Sequence, residues 1–196
     1  MRTDEIANKL EHFFVAEKGY SAVPTQIIQD NGKRKFTYTA IRGEINTQSY
    51  RNHIKTEVGL TPSPLIDHDK CYWGAIDIDT YNMEGTRKKE IIEGAKELHL
   101  APAFSKSQGI HLYCVSKDKI LAKAMRNYLA YCRATLKLDP KTEIFPKQDE
   151  VSITEENGFK KFGYGNGITI PYRSFEIHAD KDQPWGIEIY KEDKIR

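Results

Sequence analysis

Two aspartates one residue apart, Asp77 and Asp79, close the apolar run that starts at Gly74 and ends at Tyr81. The chain holds three D-x-D strings, and chance alone supplies such a string in a chain of ordinary composition. Asp67/Asp69 and Asp180/Asp182 lie in polar, turn-like surroundings and read as solvated loop carboxylates. Only Asp77/Asp79 has a strand-like frame. In a strand their Cα atoms stand roughly 6.6 Å apart and their side chains share a face, so both can reach one cation or bridge two. Without a counter-ion, like charges held together cost stability. Oxygen-only ligation suits Mg²⁺ or Mn²⁺ rather than zinc. Two metals about 3.5–4 Å apart are a recurring device for in-line nucleotidyl or phosphoryl transfer.

Other residues add to this pair. The loop Ser105-Lys106-Ser107-Gln108-Gly109 offers hydroxyls, backbone N–H groups and an ammonium, which suits a polyphosphate. His111 follows it directly; alone it would read as an ordinary satisfied or surface histidine. Glu143 supplies a third carboxylate, with Lys147 and Gln148 just beyond. Lys147 either faces solvent or pairs with phosphate oxygens. Glu176 and His178 form a weaker ligand pair at i, i+2. The glycines Gly163, Gly165 and Gly167 are not a dinucleotide loop, because no strand precedes them and no helix follows; they read as a flexible turn.

The elements that must position these residues follow from hydrophobic periodicity. From residue 71 the pattern predicts a strand over 72–80 and a helix over 86–98 with Ile91, Ala95 and Leu98 on one face. Short strands follow over 101–105 and 110–116. A long helix then carries Leu121, Met125, Tyr128, Cys132 and Leu136 at helical spacing, and a last strand over 142–145 is stopped by Pro146. The order β-α-β-β-α-β is the split βαβ arrangement, so the expected class is α+β with an RRM/ferredoxin-like sheet. Its first strand should be central, flanked by the third and fourth, with both helices on one face and the other face open. Alternation then sends Ile76, Ile78, Ile110, Leu112, Cys114 and Ile144 under the helices. Asp77, Asp79, His111 and Glu143 converge on the open face.

Before this sheet, Ile6, Leu10 and Phe13 predict a first helix with Thr3 as N-cap. A turn at Asn31-Gly32 leads into a β-rich run over 36–41, a short helix spans 47–58, and Pro62 and Pro64 mark an extended connection. After 148 comes a polar, glycine-rich segment, with strands over 168–172 and 186–190 added to the sheet edges. The whole reads as one domain, 1–196: an N-terminal α/β lobe (1–70), the catalytic sheet (71–148) and C-terminal strands (149–196).

At 196 residues, 39% hydrophobic and 30% charged, the chain has the make-up of a globular protein with a real core. A net charge of +2 decides little about partners, and the clusters Lys33-Arg34-Lys35, Arg87-Lys88-Lys89 and Lys160-Lys161 read first as solvated faces. Three cysteines without C-x-x-C spacing argue against a disulfide framework and a self-contained zinc knuckle. Asp4 and Glu5 with no apolar segment after them argue against a signal peptide, and no apolar run approaches the roughly 18 residues of a membrane span. A cytoplasmic, membrane-free protein is expected.

A strand ending in D-I-D, then S-x-G-x-H over 107–111, then E-x-F-P-K-Q over 143–148, resembles the catalytic core of archaeo-eukaryotic primases, the primase-polymerase superfamily. The E-x-F-P-K-Q string and the stretch Gly165 to Pro171 are most similar to primase-polymerases of phages and bacterial mobile elements. That implies a phage- or plasmid-borne origin in a bacterial or archaeal cell. The resemblance spans about residues 71–172 and implies Asp77, Asp79 and Glu143 as ligands of two Mg²⁺ or Mn²⁺ ions. It implies Ser107 and His111 as holders of the incoming triphosphate, with Lys106, Gly109 and Lys147 near it. Asn166 matches a motif position, and the spacing from there to Pro171 departs from the family pattern. Single-stranded DNA template, nucleoside triphosphates, and a helicase or single-strand-binding protein are the implied partners. No zinc module is visible.

The expected function is therefore template-directed nucleotidyl transfer that makes or extends primers in DNA replication. Two alternatives use the same features. A metal-dependent nuclease or phosphoesterase would use the same carboxylates. A non-catalytic RRM-like module would share the strand order but stack bases on aromatics of its central strands, where this chain has carboxylates.

Overall fold

The structure, a computed structural model, describes residues 3–30, 33–55, 58–79, 83–104 and 109–172, with backbone alone for 22–30 and 33–40. The N-terminal lobe consists of α1 (Thr3–Phe13), β1 (Lys18–Asp30), β2 (Lys33–Glu44), α2 (Thr47–Lys55) and β3 (Gly59–Pro62). Its strands form an antiparallel sheet in the order β2-β1-β3. The long strand β1 is absent from the sequence reading, and the register of its pairing with β2 shifts between Pro24 and Gln26. The expected turn at residues 31–32 and the strand over 186–190 lie outside the described residues.

The second sheet is built from β4 (Lys70–Ile78), α3 (Gly85–Glu97), β5 (Ala101–Phe104), β6 (Ile110–Leu121), α4 (Ala122–Thr135) and β7 (Glu143–Phe145). Its order is β5-β6-β4-β7 with all neighbours antiparallel, the expected ferredoxin-like arrangement with β4 central. The fold is α+β. Ile76, Ile78, Ile110 and Leu112 pack beneath α3 and α4 with Ile91, Ala95, Met125, Leu129 and Cys132. On α4 the buried stripe runs through Met125, Leu129 and Cys132, while Leu121 and Tyr128 are exposed. Of the expected stripe Met125, Cys132 and Leu136 are buried, and Leu129 takes the place of Tyr128. In α1, likewise, Phe13 is exposed and the following Phe14 is buried instead.

The opposite face of this sheet is not open, contrary to expectation. Trp73, Ala75, Tyr113 and Phe145 point to it and are buried against Ile6, Leu10, Phe14, Tyr50 and Ile54 of the N-terminal lobe, with Ile168 and Ile170. The ring of Phe14 meets Trp73 and Tyr113 edge-on at centroid distances of 5.1 and 5.0 Å. Trp73 Nε1–H donates to the Val15 carbonyl, and Tyr50 O–H to the Phe14 carbonyl. A bulge between Cys71 and Trp73 resets the alternation, so that Cys71 joins the helix side and Trp73 the other.

Residues 168–172 are not an added edge of this sheet. They run beside β3 of the N-terminal lobe, where Ile168 and Ile170 N–H donate to the Pro62 and Leu60 carbonyls. His53 fastens the same place. It is fully buried, accepts from Leu60 N–H at Nδ1 and donates from Nε2 to the Pro171 carbonyl, 2.9 Å each. A Cβ on Gly167 would stand 2.4 Å from the Thr61 oxygen, so this glycine serves close backbone packing rather than flexibility.

A small hairpin missed by the sequence reading, β8 (Ile153–Glu156) and β9 (Phe159–Phe162), turns through Asn157 and Gly158. Both have positive φ, 54° and 79°, as a two-residue type I′ turn requires. Among the described residues no helix is long and apolar enough to cross a membrane.

Helix α4 lies so close to β4 that a Cβ on Gly74 would meet Phe145 O at 2.6 Å, Met125 Cγ at 2.7 Å and Leu129 Cδ1 at 2.8 Å. Gly74→Ala is expected to destabilise by about 1–3 kcal/mol through overpacking, read as a lower urea midpoint at unchanged m-value. Burial, with the neighbouring cysteines adding, pushes the thiol of Cys71 up to about 12 and that of Cys114 to about 11, from an ordinary 9.0. The unfolded chain therefore loses these protons first as pH rises. Stability present in full below pH 9 should fall between pH 9 and the folded values, seen as a declining thermal midpoint across that window.

Candidate active site

The centre of the site is set by register. Asp77 pairs with His111 on one side and Glu143 on the other, while Ala103 pairs with His111. One row across four strands therefore reads Ala103, His111, Asp77, Glu143. It lies on the same face as the row Ala101, Tyr113, Ala75, Phe145, one pleat toward the C-terminal end of β4. Tyr113, Ala75 and Phe145 lie under the N-terminal lobe, as Ala103 does; at Asp77 and Glu143 that cover ends. The Asp77 side chain keeps 32% of its surface exposed, His111 11%.

His111 is held from both sides. The phenol proton of Tyr113 is given to the Thr169 carbonyl at 2.8 Å, so the phenol oxygen accepts from His111 Nδ1–H at 2.9 Å. The ring therefore presents Nε2 to Asp77, whose Oδ1 is 3.2 Å away. Burial, reinforced by the Asp77 charge, pushes the Tyr113 phenol well above its ordinary value, which keeps its proton in place for Thr169. No motif of the sequence points to Tyr113 or to the Thr169 backbone, although alternation along β6 puts Tyr113 on the His111 face.

Glu143 is exposed and its Oε1 accepts from Lys147 Nζ at 2.6 Å; the same ammonium lies 4.9 Å from the centroid of the Phe145 ring. Asp79 is exposed just past the end of β4. Among the described residues no group of three or more His, Cys, Asp or Glu side chains is gathered closely enough to hold a metal ion. Gly109 is buried at the start of β6, whereas Lys106, Ser107, Glu176 and His178 lie outside the described residues. Asn166 Nδ2–H donates to Gln148 Oε1 at 3.0 Å, which ties the glycine-rich segment to the residues after Lys147. Asp67 lies in a turn and pairs with Lys119 at 2.5 Å, which holds its carboxyl below the ordinary range.

Strand order alone does not separate an enzyme of this fold from an RRM-like module, and the comparison with known families decides the class. The family model described as the archaeo-eukaryotic primase domain of TOTE conflict systems matches residues 2–182, so the chain belongs to that family and to the primase-polymerase superfamily. No curated protein matches the sequence.

Tyr113→Phe removes both bonds and leaves a buried carbonyl and an imidazole N–H without partners. It should cost about 1–3 kcal/mol in urea unfolding. In long-range ¹H–¹⁵N spectra the wild-type His111 should be protonated at Nδ1, and the variant should lose that fixed assignment. A wild-type ring protonated only at Nε2 would break the chain of bonds described here.

Proposed function

We propose that the protein is a metal-dependent, template-directed nucleotidyltransferase that makes or extends primers from nucleoside triphosphates. The observation that carries this reading is the cross-strand row of Asp77 between His111 and Glu143 in a chain of this family. The donor set fits a hard divalent cation, because Asp77, Asp79 and Glu143 offer carboxylate oxygens alone and the cysteines are buried or half-buried, protonated thiols elsewhere. Asp77, Asp79 and Glu143 would hold Mg²⁺ or Mn²⁺, which when bound supplies Lewis-acid stabilisation of charge at the transferring phosphate. Glu143 would give up its bond to Lys147 to take part.

The chain's own groups then position the reactants. His111, its ring plane fixed by Tyr113, would bind an anionic phosphate beside Asp77 by donating from a protonated Nε2 as well as holding Nδ1–H on Tyr113. Lys106, Ser107 and the Gly109 backbone would hold the rest of the triphosphate, and Lys147 is a further phosphate contact. A primer 3′-hydroxyl, or a first nucleotide, attacks the α-phosphate and pyrophosphate leaves. Single-stranded DNA is the template, a helicase or single-strand-binding protein a working partner, and the cytoplasm of a bacterial or archaeal host the setting. The RRM-like alternative is disfavoured, since Trp73 and Tyr113, the central-strand aromatics on this face, are buried.

The test is incubation with unprimed or primed single-stranded template, labelled nucleotides and Mg²⁺ or Mn²⁺, with products sized on a gel. Asp77→Ala and Asp79→Ala should each lower synthesis by at least about a hundredfold, as expected for losing several kcal/mol of transition-state stabilisation, with the fold intact. His111→Ala should weaken nucleotide binding more than template binding. Near-wild-type synthesis by either aspartate variant, or degradation of labelled strand in place of pyrophosphate release, would overturn the proposal.

A further inference from the structure

On the outer flank of the acidic row, between α4 and β7, lies a groove of about 400 Å³. Lys123, Arg126, Asn127, Ala130 and Arg133 line one wall, a single face of α4 at helical spacing, and Lys147 and Glu143 lie on the other. Four cations face two carboxylates, Glu143 and Asp149, an excess of two positive charges (4 − 2). Arg126 is held by Asp149 at 2.5 Å and Lys147 by Glu143 at 2.6 Å. Arg133 donates one of its guanidinium N–H groups to the Thr142 carbonyl at 2.9 Å. Lys123 has no carboxylate partner among the described residues.

Two features make this wall suited to an anion. A helix gains stability from acidic residues in its first turn, yet α4 has none there and carries Lys123 instead. The ammonium and the positive end of the helix therefore add. Ala130 in the middle of the row leaves space where a longer side chain would fill it. Lys123 and Arg133 are ten residues apart, about 15 Å along the helix. That length matches a run of phosphates, which recur every ~3.4 Å along a stacked strand, better than a single triphosphate.

We propose that this groove holds the phosphodiester backbone of a single-stranded nucleic acid as it passes the acidic row. Glu143, shared by row and groove, puts the bound strand beside the reacting site. The inference rests on the nucleotidyltransferase reading and specifies which surface carries the polymer.

Fluorescence anisotropy with a fluorescein-labelled oligothymidylate, over a series of NaCl concentrations, tests it. Lys123→Ala should lower the slope of log K against log salt by about 0.7. Ala130→Glu should weaken binding about tenfold or more, and Ala130→Lys should tighten it severalfold, with circular dichroism unchanged in each. Wild-type affinity and slope in all three variants would overturn the proposal. So would loss of ATP binding in the variants with oligonucleotide binding intact, which would give the groove to the nucleotide. Asp77→Ala serves as the separating control, since it should abolish synthesis and keep oligonucleotide binding. If synthesis proceeds while the groove variants bind normally, only the groove assignment fails.

Discussion

Burial of β4 on both of its faces is the constraint on which the rest of the molecule depends. Its backbone is bonded to β6 on one side and β7 on the other, Ile76 and Ile78 are packed under the helices, and Trp73 and Ala75 under the N-terminal lobe. A strand held in this way has no freedom to slip, because a shift of one residue would send every side chain to the wrong layer. Asp77 stands where this enclosure ends. It is held by rigid neighbours while a third of its side chain remains in solvent, which limits the desolvation cost of its charge.

The second layer does more than close the core. Phe14 of the first lobe, Trp73 and Tyr113 of the sheet, and the 168–172 segment meet at one place. The Tyr113 hydroxyl links that place to the acidic row. The position of His111 is thereby set by parts of the chain more than fifty residues away on either side. Through the Tyr113 hydroxyl, the 168–172 segment thus acts as a support for the His111 ring.

The shared face of Asp77, His111 and Glu143 was legible because strand alternation is rigid, whereas the register that puts them side by side was not. The strand order followed from the order of periodic segments. The covering of that face was also written in the sequence, in Trp73, Ala75, Tyr113 and Phe145, but alternation says which residues share a face and not what packs on it. Helix faces were read less well, since adjacent apolar residues such as Phe13 and Phe14, or Tyr128 and Leu129, fit the 3.6-residue period almost equally. Tertiary packing chose between them. The hairpin at Asn157-Gly158 had its turn signal, but its strands are too polar to show a buried face. The Thr169 contact to Tyr113 uses a main-chain carbonyl, which leaves no mark on residue type.

The ion pair between Lys147 and Glu143 straddles the border between the acidic row and the basic groove. Its two charges cannot serve separate neighbours while they serve each other. Anything cationic that claims the carboxylate releases the ammonium outward, and any anion that claims the ammonium releases the carboxylate inward. By linkage the two events favour each other to the same degree, so a single solvent-exposed contact makes filling of either compartment an invitation to fill the other.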